Sequence, residues 1–131
     1  MKIVLDTNVL IAGFITHGTC NELIEYCALN HEVVISRFIL GEFTGKLTNK
    51  FGFTMHEAET AAALLESRFE VVIPQVPDKP ICRDPDDDKV IGTALTGSCT
   101  CIVTGDKDLL ELKRVKQVYM ISPSAFWAFE K

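Results

Sequence analysis

The chain has 131 residues, 47% of them hydrophobic, with a mean hydropathy of +0.19, a formal net charge of −5 and a pI near 5.1. That length gives a core for one domain spanning 1–131, and the hydropathy excludes intrinsic disorder. The acidic balance excludes an open basic nucleic-acid groove, and no apolar run reaches the ~18 residues of a bilayer span. The N-terminal apolar run is short and ends in Asp, without the cleavage site of a signal peptide, so a cytoplasmic protein without membrane contact is expected. The five cysteines (Cys20, Cys27, Cys82, Cys99, Cys101) are odd in number and form no Cys-x-x-Cys pair. Small buried or half-buried thiols are expected, and not a zinc site.

Short β-branched runs alternate with helical patterns. The strands predicted in chain order are KIVLD (2–6), EVVIS (32–36), FEVVIP (69–74), TCIVT (100–104) and QVYMIS (117–122). They are nearly continuous apolar runs, as parallel strands covered on both faces should be. Helices are predicted at about 8–16, 20–30, 37–49, 55–68, 86–98, 106–112 and 123–129. TCNE (19–22) and TMHE (54–57) have the Thr-x-x-Glu form of a capping box, and SP (122–123) sets a cap residue before a helix-starting proline. PQVPDKPICRDP (74–85) holds four of the five prolines and reads as the one long loop, and KRVK (113–116) reads as an exposed loop. The alternation predicts an α/β fold with a mostly parallel five-stranded sheet.

In such a sheet, residues just past the carboxyl ends of the strands gather along one edge. Asp6 ends the first predicted strand, and Asp106 follows the fourth in VTGDKDLL. Glu42, in SRFILGEFTGKL, lies four residues after Phe38 and three after Ile39, on their apolar face. Its side chain tilts toward the helix N-terminus, hence toward the same edge. In RDPDDDKVIGTAL, Val90, Ile91 and Ala94 lie at +3, +4 and +7 from Asp87, which puts Asp87 in line with the buried face and Asp86 and Asp88 at its margins.

Four inward carboxylates would repel one another and raise each other's pKa, and a hard divalent cation relieves this. Oxygen-only ligands without paired His or thiolate fit Mg²⁺ or Mn²⁺ better than Zn²⁺. Taken singly, each acid has a plainer reading. An Asp after a strand is commonly a turn or cap residue, DPDDD reads as a solvated helix start, and Glu42 as a boundary residue. Together, with two acids on apolar helical faces, they read as a site. Committing four carboxylates to metal also moves the formal charge from −5 to −1, which weakens the objection to a phosphodiester substrate.

VLDTNVLI (4–11), the Glu early in the helix after the second strand, RDPDDDKVIGTAL (83–95) and IVTGDKDLL (102–110) together resemble the PIN-domain family. The order, spacing and length agree over essentially the whole chain. MISPSAFWAF (120–129) is similar to the small bacterial stand-alone, VapC-like members described as toxin components of toxin–antitoxin systems. The resemblance implies a three-layer α/β/α sandwich and a Mg²⁺- or Mn²⁺-dependent ribonuclease. Its motif acids carry over as Asp6, Glu42, Asp87 and Asp106, both catalytic and metal-holding. Asn8 and Thr104 would be supporting polar residues, and Asp84, Asp88 and Asp108 further acids near the site. RNA is the implied substrate, and an antitoxin protein and a second copy of the chain are the implied partners. Apolar residues on more than one face of two helices (Leu23, Ile24, Cys27, Ala28; Ala61, Ala62, Leu64, Leu65) fit a homodimer or a core.

Arg37, Lys46, Lys50 and Lys107 are candidates to hold RNA phosphates, although such residues are mostly solvated. His17, His31 and His56 are isolated and take no catalytic role. Two rival readings stand beside this one. A haloacid dehalogenase-like phosphatase would need an acidic residue two positions after Asp6, where this chain has Asn8. A PIN-like scaffold that binds RNA or protein without cleaving would not need all four acids.

Overall fold

The computed structural model describes residues 1–16 and 18–131; His17 lies outside them. In chain order the elements are β1 (Lys2–Leu5), α1 (Thr7–Ile15), α2 (Thr19–Asn30), β2 (Glu32–Ser36), α3 (Arg37–Phe51), α4 (Met55–Arg68), β3 (Glu70–Val72), α5 (Pro85–Thr96), β4 (Cys101–Val103), α6 (Lys107–Leu112), β5 (Arg114–Val115), β6 (Val118–Ile121) and α7 (Phe126–Glu130). The sheet has strand order β3-β2-β1-β4-β6-β5. Every pairing is parallel except β5 with β6.

The sheet therefore has six strands, not the five expected. The addition is β5, a two-residue edge strand inside the KRVK segment, hairpinned onto β6. Lys113 and Lys116 flank it at φ 61° and 52°, and the Arg114 side chain donates to the Lys116 carbonyl at 2.7 Å. Charged residues on an edge strand discourage further pairing, and they are also why the segment reads as a loop.

Ile3, Val4 and Leu5 of β1 and Cys101, Ile102 and Val103 of β4 are all fully buried. Successive strand side chains point to opposite faces, so both faces of the sheet are covered. On one side α1 packs on α2 and α3, and α3 on α4; α5 lies over β1, β2 and β4. The α1–α2 approach is close: a Cβ on Gly13 would stand 2.2 Å from Ile24 Cδ1. Among the described residues no helix is long and apolar enough to cross a membrane.

Caps explain most helix starts. Ser36 caps α3 by accepting from the Ile39 amide, and Thr54 and Glu57 form the expected capping box of α4. The second expected box is not formed. Thr19 is already the first residue of α2, its cap is Gly18, and that end has no side-chain cap. Ser122 accepts from the Ala125 amide at 3.2 Å, capping a turn, and α7 begins only at Phe126.

The chain runs from β1 outward to β2 and β3, then returns to β4 on the other side of β1. The carboxyl ends of β1 and β4 therefore flank the point where strand order reverses, where an open α/β sheet leaves a crevice.

Candidate active site

Asp6 leaves β1 and caps α1; Asp106 follows β4 and caps α6. Both positions follow from one sequence device, a carboxylate placed where a strand ends and a helix with open amides begins. Asp6 Oδ1 accepts from the Thr7 amide at 2.8 Å, and Oδ2 accepts from the Thr104 hydroxyl at 2.7 Å. Thr104 is fully buried and also accepts from the Asp106 amide at 3.0 Å, so one hydroxyl links the two strand ends.

Glu42 comes from the second turn of α3, on the face of the buried Ile39 and Phe43. Its Oε1 accepts from the Thr7 hydroxyl at 2.8 Å. Thr7 is 2% exposed, and the sequence reading does not single it out as a site residue. Its signal is its place in DTN, between Asp6 and Asn8. Asp84 caps α5 by accepting from the Asp86 amide at 2.9 Å, and Asp87 follows in the first turn.

These side chains share one cavity of about 130 Å³, lined by Asp6, Thr7, Asn8, Glu42, Lys46, Asp84, Asp86, Asp87, Val90 and Asp106. All four expected catalytic acids are brought together, with Asn8 and Asp84. Lys46 also enters, its Nζ donating to Asn8 Oδ1 at 2.8 Å. Asp86, expected at the margin, lines the rim. Asp108 is not in the cavity wall, yet one carboxylate oxygen each from Asp87, Asp106 and Asp108 lie within 4.8 Å of one another. Asp108 also pairs with the exposed Arg83 at 2.8 Å.

Asp88 is placed otherwise. It is 5% exposed, more buried than a marginal position allows, and it does not line the cavity. Its carboxylate accepts from the amides of Ile81 and Cys82 at 3.0 to 3.3 Å. Asp88 thus pins the proline-rich segment onto α5. Gly92 completes that contact, because a Cβ there would stand 2.2 Å from the Gln75 carbonyl oxygen.

Electrostatics follows the packing. Burial pushes the Asp87 carboxyl from 3.8 up to about 7, and Asp106, Asp84 and Asp6 push in the same direction. Burial likewise raises Asp6, opposed by its bonds to Thr104 and Thr7 and reinforced by Asp106. Burial raises Glu42, opposed by the Thr7 bond and reinforced by Asp6. The donor set is oxygen-only, with no imidazole or thiolate among the described lining residues. Such a set fits a hard divalent cation, and a cation there would relieve the repulsion that burial intensifies.

The other candidates lie elsewhere. Arg37 pairs with Glu66, Lys50 and Lys107 are exposed, and His56 is exposed. His31 caps the end of α2 and bonds Glu130 of α7. The cysteines are free, three buried and two half-buried, as expected.

The model of the family described as PIN domain matches residues 2–108. Among solved structures the chain is similar to VapBC2 from Rickettsia felis bound to a DNA fragment from their promoter (TM-score 0.68, 16% identity, 93% of this chain and 98% of that one). It is similar to VapBC-1 from nontypeable Haemophilus influenzae (TM-score 0.66, 18% identity, 95% and 99%). It is also similar to Mycobacterium tuberculosis VapC20, described as a Sarcin-Ricin loop cleaving toxin (TM-score 0.64, 20% identity, 89% and 98%). At these identities the likeness is one of fold. Among curated proteins, none matches.

Proposed function

The chain belongs to the PIN-domain family, and we propose that it hydrolyses phosphodiester bonds of RNA with Mg²⁺ or Mn²⁺, as the toxin of a toxin–antitoxin pair. The observation that carries this reading is the convergence of Asp6, Glu42, Asp87 and Asp106, from four separate elements, on one polar cavity at the strand-order reversal. Asp6, Asp87 and Asp106 would hold the metal directly or through bound water, with Asp108 within reach of Asp87 and Asp106 and Glu42 lining the same cavity. Bound there, a divalent ion supplies charge stabilisation to the phosphoryl group and acidifies water.

The protein's own side chains do the rest. Thr104 locks Asp6 in one orientation and ties it to the Asp106 turn. Thr7 fixes one oxygen of Glu42, which leaves the other to orient water and accept its proton. A carboxyl raised by burial is better matched to proton transfer near neutral pH than an ordinary one. An acidic cavity repels a bare phosphodiester, so RNA binding should depend on metal. An extended single strand, with its backbone exposed, suits so small a cleft better than a duplex.

An antitoxin partner is supported by the fold shared with the two VapBC structures. A second cavity, of about 140 Å³, lies where α1, α2 and α4 meet; its apolar wall is Leu10, Phe14, Ile24, Ala61, Leu64 and Leu65, and Asn21 and the paired Glu25 and Arg68 also line it. Phe14 and Leu64 are exposed at its rim, an apolar face for a protein partner. Self-association has less support than the sequence suggested. Leu23, Ile24, Cys27, Ala61 and Ala62 are buried within one chain, which leaves Leu29, Met55 and Leu64 as the large apolar residues exposed on these two helices.

Expression of the chain in a bacterium, with mapping of RNA 5′ ends, tests the reading. Growth arrest with new, discrete RNA ends is expected, and neither with Asp106→Asn. Equal effects of both proteins would overturn the assignment.

A further inference from the structure

Among the described residues, Lys46 is the one basic side chain lining the acidic cavity. It follows Glu42 by one helical turn on α3, and neighbours at that spacing share a face. Its ammonium is held by Asn8 Oδ1 at 2.8 Å. The cation therefore stands at the Asp6–Glu42 end of the cavity.

The opposite end is different. There, oxygens of Asp87, Asp106 and Asp108 gather within 4.8 Å. Opposite ligands of an octahedral Mg²⁺ stand about 4.2 Å apart, twice a bond of about 2.1 Å, so that group is near the span one ion needs. The cavity wall thus carries one cation, beside Asn8 and Glu42, while the Asp87–Asp106–Asp108 group meets the exposed Arg83, which pairs with Asp108 from outside the wall.

Two-metal sites hold their ions roughly 3.5–4 Å apart. In a cavity of about 130 Å³, an ammonium fixed on one wall opposes a second divalent ion by repulsion at short range. Resting on the metal-dependent reading above, we propose that Lys46 stands in for a second metal ion, so that the site takes one divalent cation, at the Asp87–Asp106 end.

Calorimetric titration of the RNA-free protein with Mn²⁺ tests this without any cleavage assay. The set is wild type, Lys46→Arg, Lys46→Gln and Lys46→Met, each first shown to be folded by circular dichroism. One ion per chain is expected for wild type and Lys46→Arg, and a second, weaker ion for Lys46→Gln and Lys46→Met. Two ions in the wild type would overturn the inference and leave the metal-dependent reading standing. One ion in all four proteins would overturn the role given to Lys46. No Mn²⁺ bound by the wild type would overturn both the inference and the reading beneath it.

Discussion

Replacing Asp87 by Asn should stabilise the metal-free protein at neutral pH and leave it unchanged in acid. Moving the carboxyl from 3.8 to about 7 corresponds to at most about 4 kcal/mol against the ionised form. The cavity is open on one side, and screening by water and salt leaves roughly 1–2 kcal/mol. Asp87 also lies in the first turn of α5, where losing a negative charge costs about 0.5 kcal/mol. The net gain is about 1 kcal/mol, or a rise in Tm of about 3–5 °C for a chain of this size.

The pH dependence has a definite sign. The folded-state pKa is raised, so as pH climbs from 3.8 towards 7 the unfolded chain releases its proton while the folded chain retains it. Wild-type stability falls through that window and the penalty stays constant above it. Asn cannot ionise, so its advantage is absent below about pH 4 and complete above about pH 7.5. Thermal unfolding in EDTA from pH 4 to 8 reads this directly. Saturating Mn²⁺ should reverse the order, since a ligand at 100 times its Kd adds about 2.7 kcal/mol to the protein that binds it. A lower Tm for Asp87→Asn at pH 8 in EDTA, or a gain independent of pH, would refute the electrostatic reasoning.

Asp88→Ala should destabilise by about 1–3 kcal/mol in urea, because it strands the Ile81 and Cys82 amides, and it should reduce cleavage less than Asp87→Asn; equal cleavage losses would place Asp88 in the site. Gly92→Ala should cost about 1–3 kcal/mol by the same assay, because the new methyl collides with the Gln75 carbonyl; full stability would mean the loop shifts freely. Thr7→Val should lower kcat about 10–100-fold with KM little changed, the value of one hydrogen bond to the charged Glu42 carboxylate, and Thr7→Ser should restore it. An unchanged kcat in Thr7→Val would show that Glu42 is positioned by something else.

The acids at strand ends were legible because the signal is local: an apolar run, a carboxylate, then a helix. Glu42 and Asp87 were legible because helical periodicity assigns a face. Asp88 was not, because its burial comes from the 73–84 segment folding back on α5, a contact between irregular chain and helix that periodicity does not encode. β5 escaped for a related reason, since two residues held between Lys113 and Lys116 by positive φ carry no alternation to detect. Thr19–Glu22 shows the converse failure, a capping motif written one residue past the cap position the fold uses. Lys46 was visible only as one of several surface cations; its place in the cavity depends on Asn8, 38 residues earlier.

Purified protein incubated with end-labelled single-stranded RNA gives the most direct test of the central claim. Wild type should cleave in Mn²⁺ or Mg²⁺ and stop in EDTA, and Asp6→Asn and Asp106→Asn should each lose at least about 10²-fold in rate while staying folded. Cleavage that persists in EDTA, or that survives unchanged in both variants, would contradict the assignment of the acidic cavity as the catalytic site.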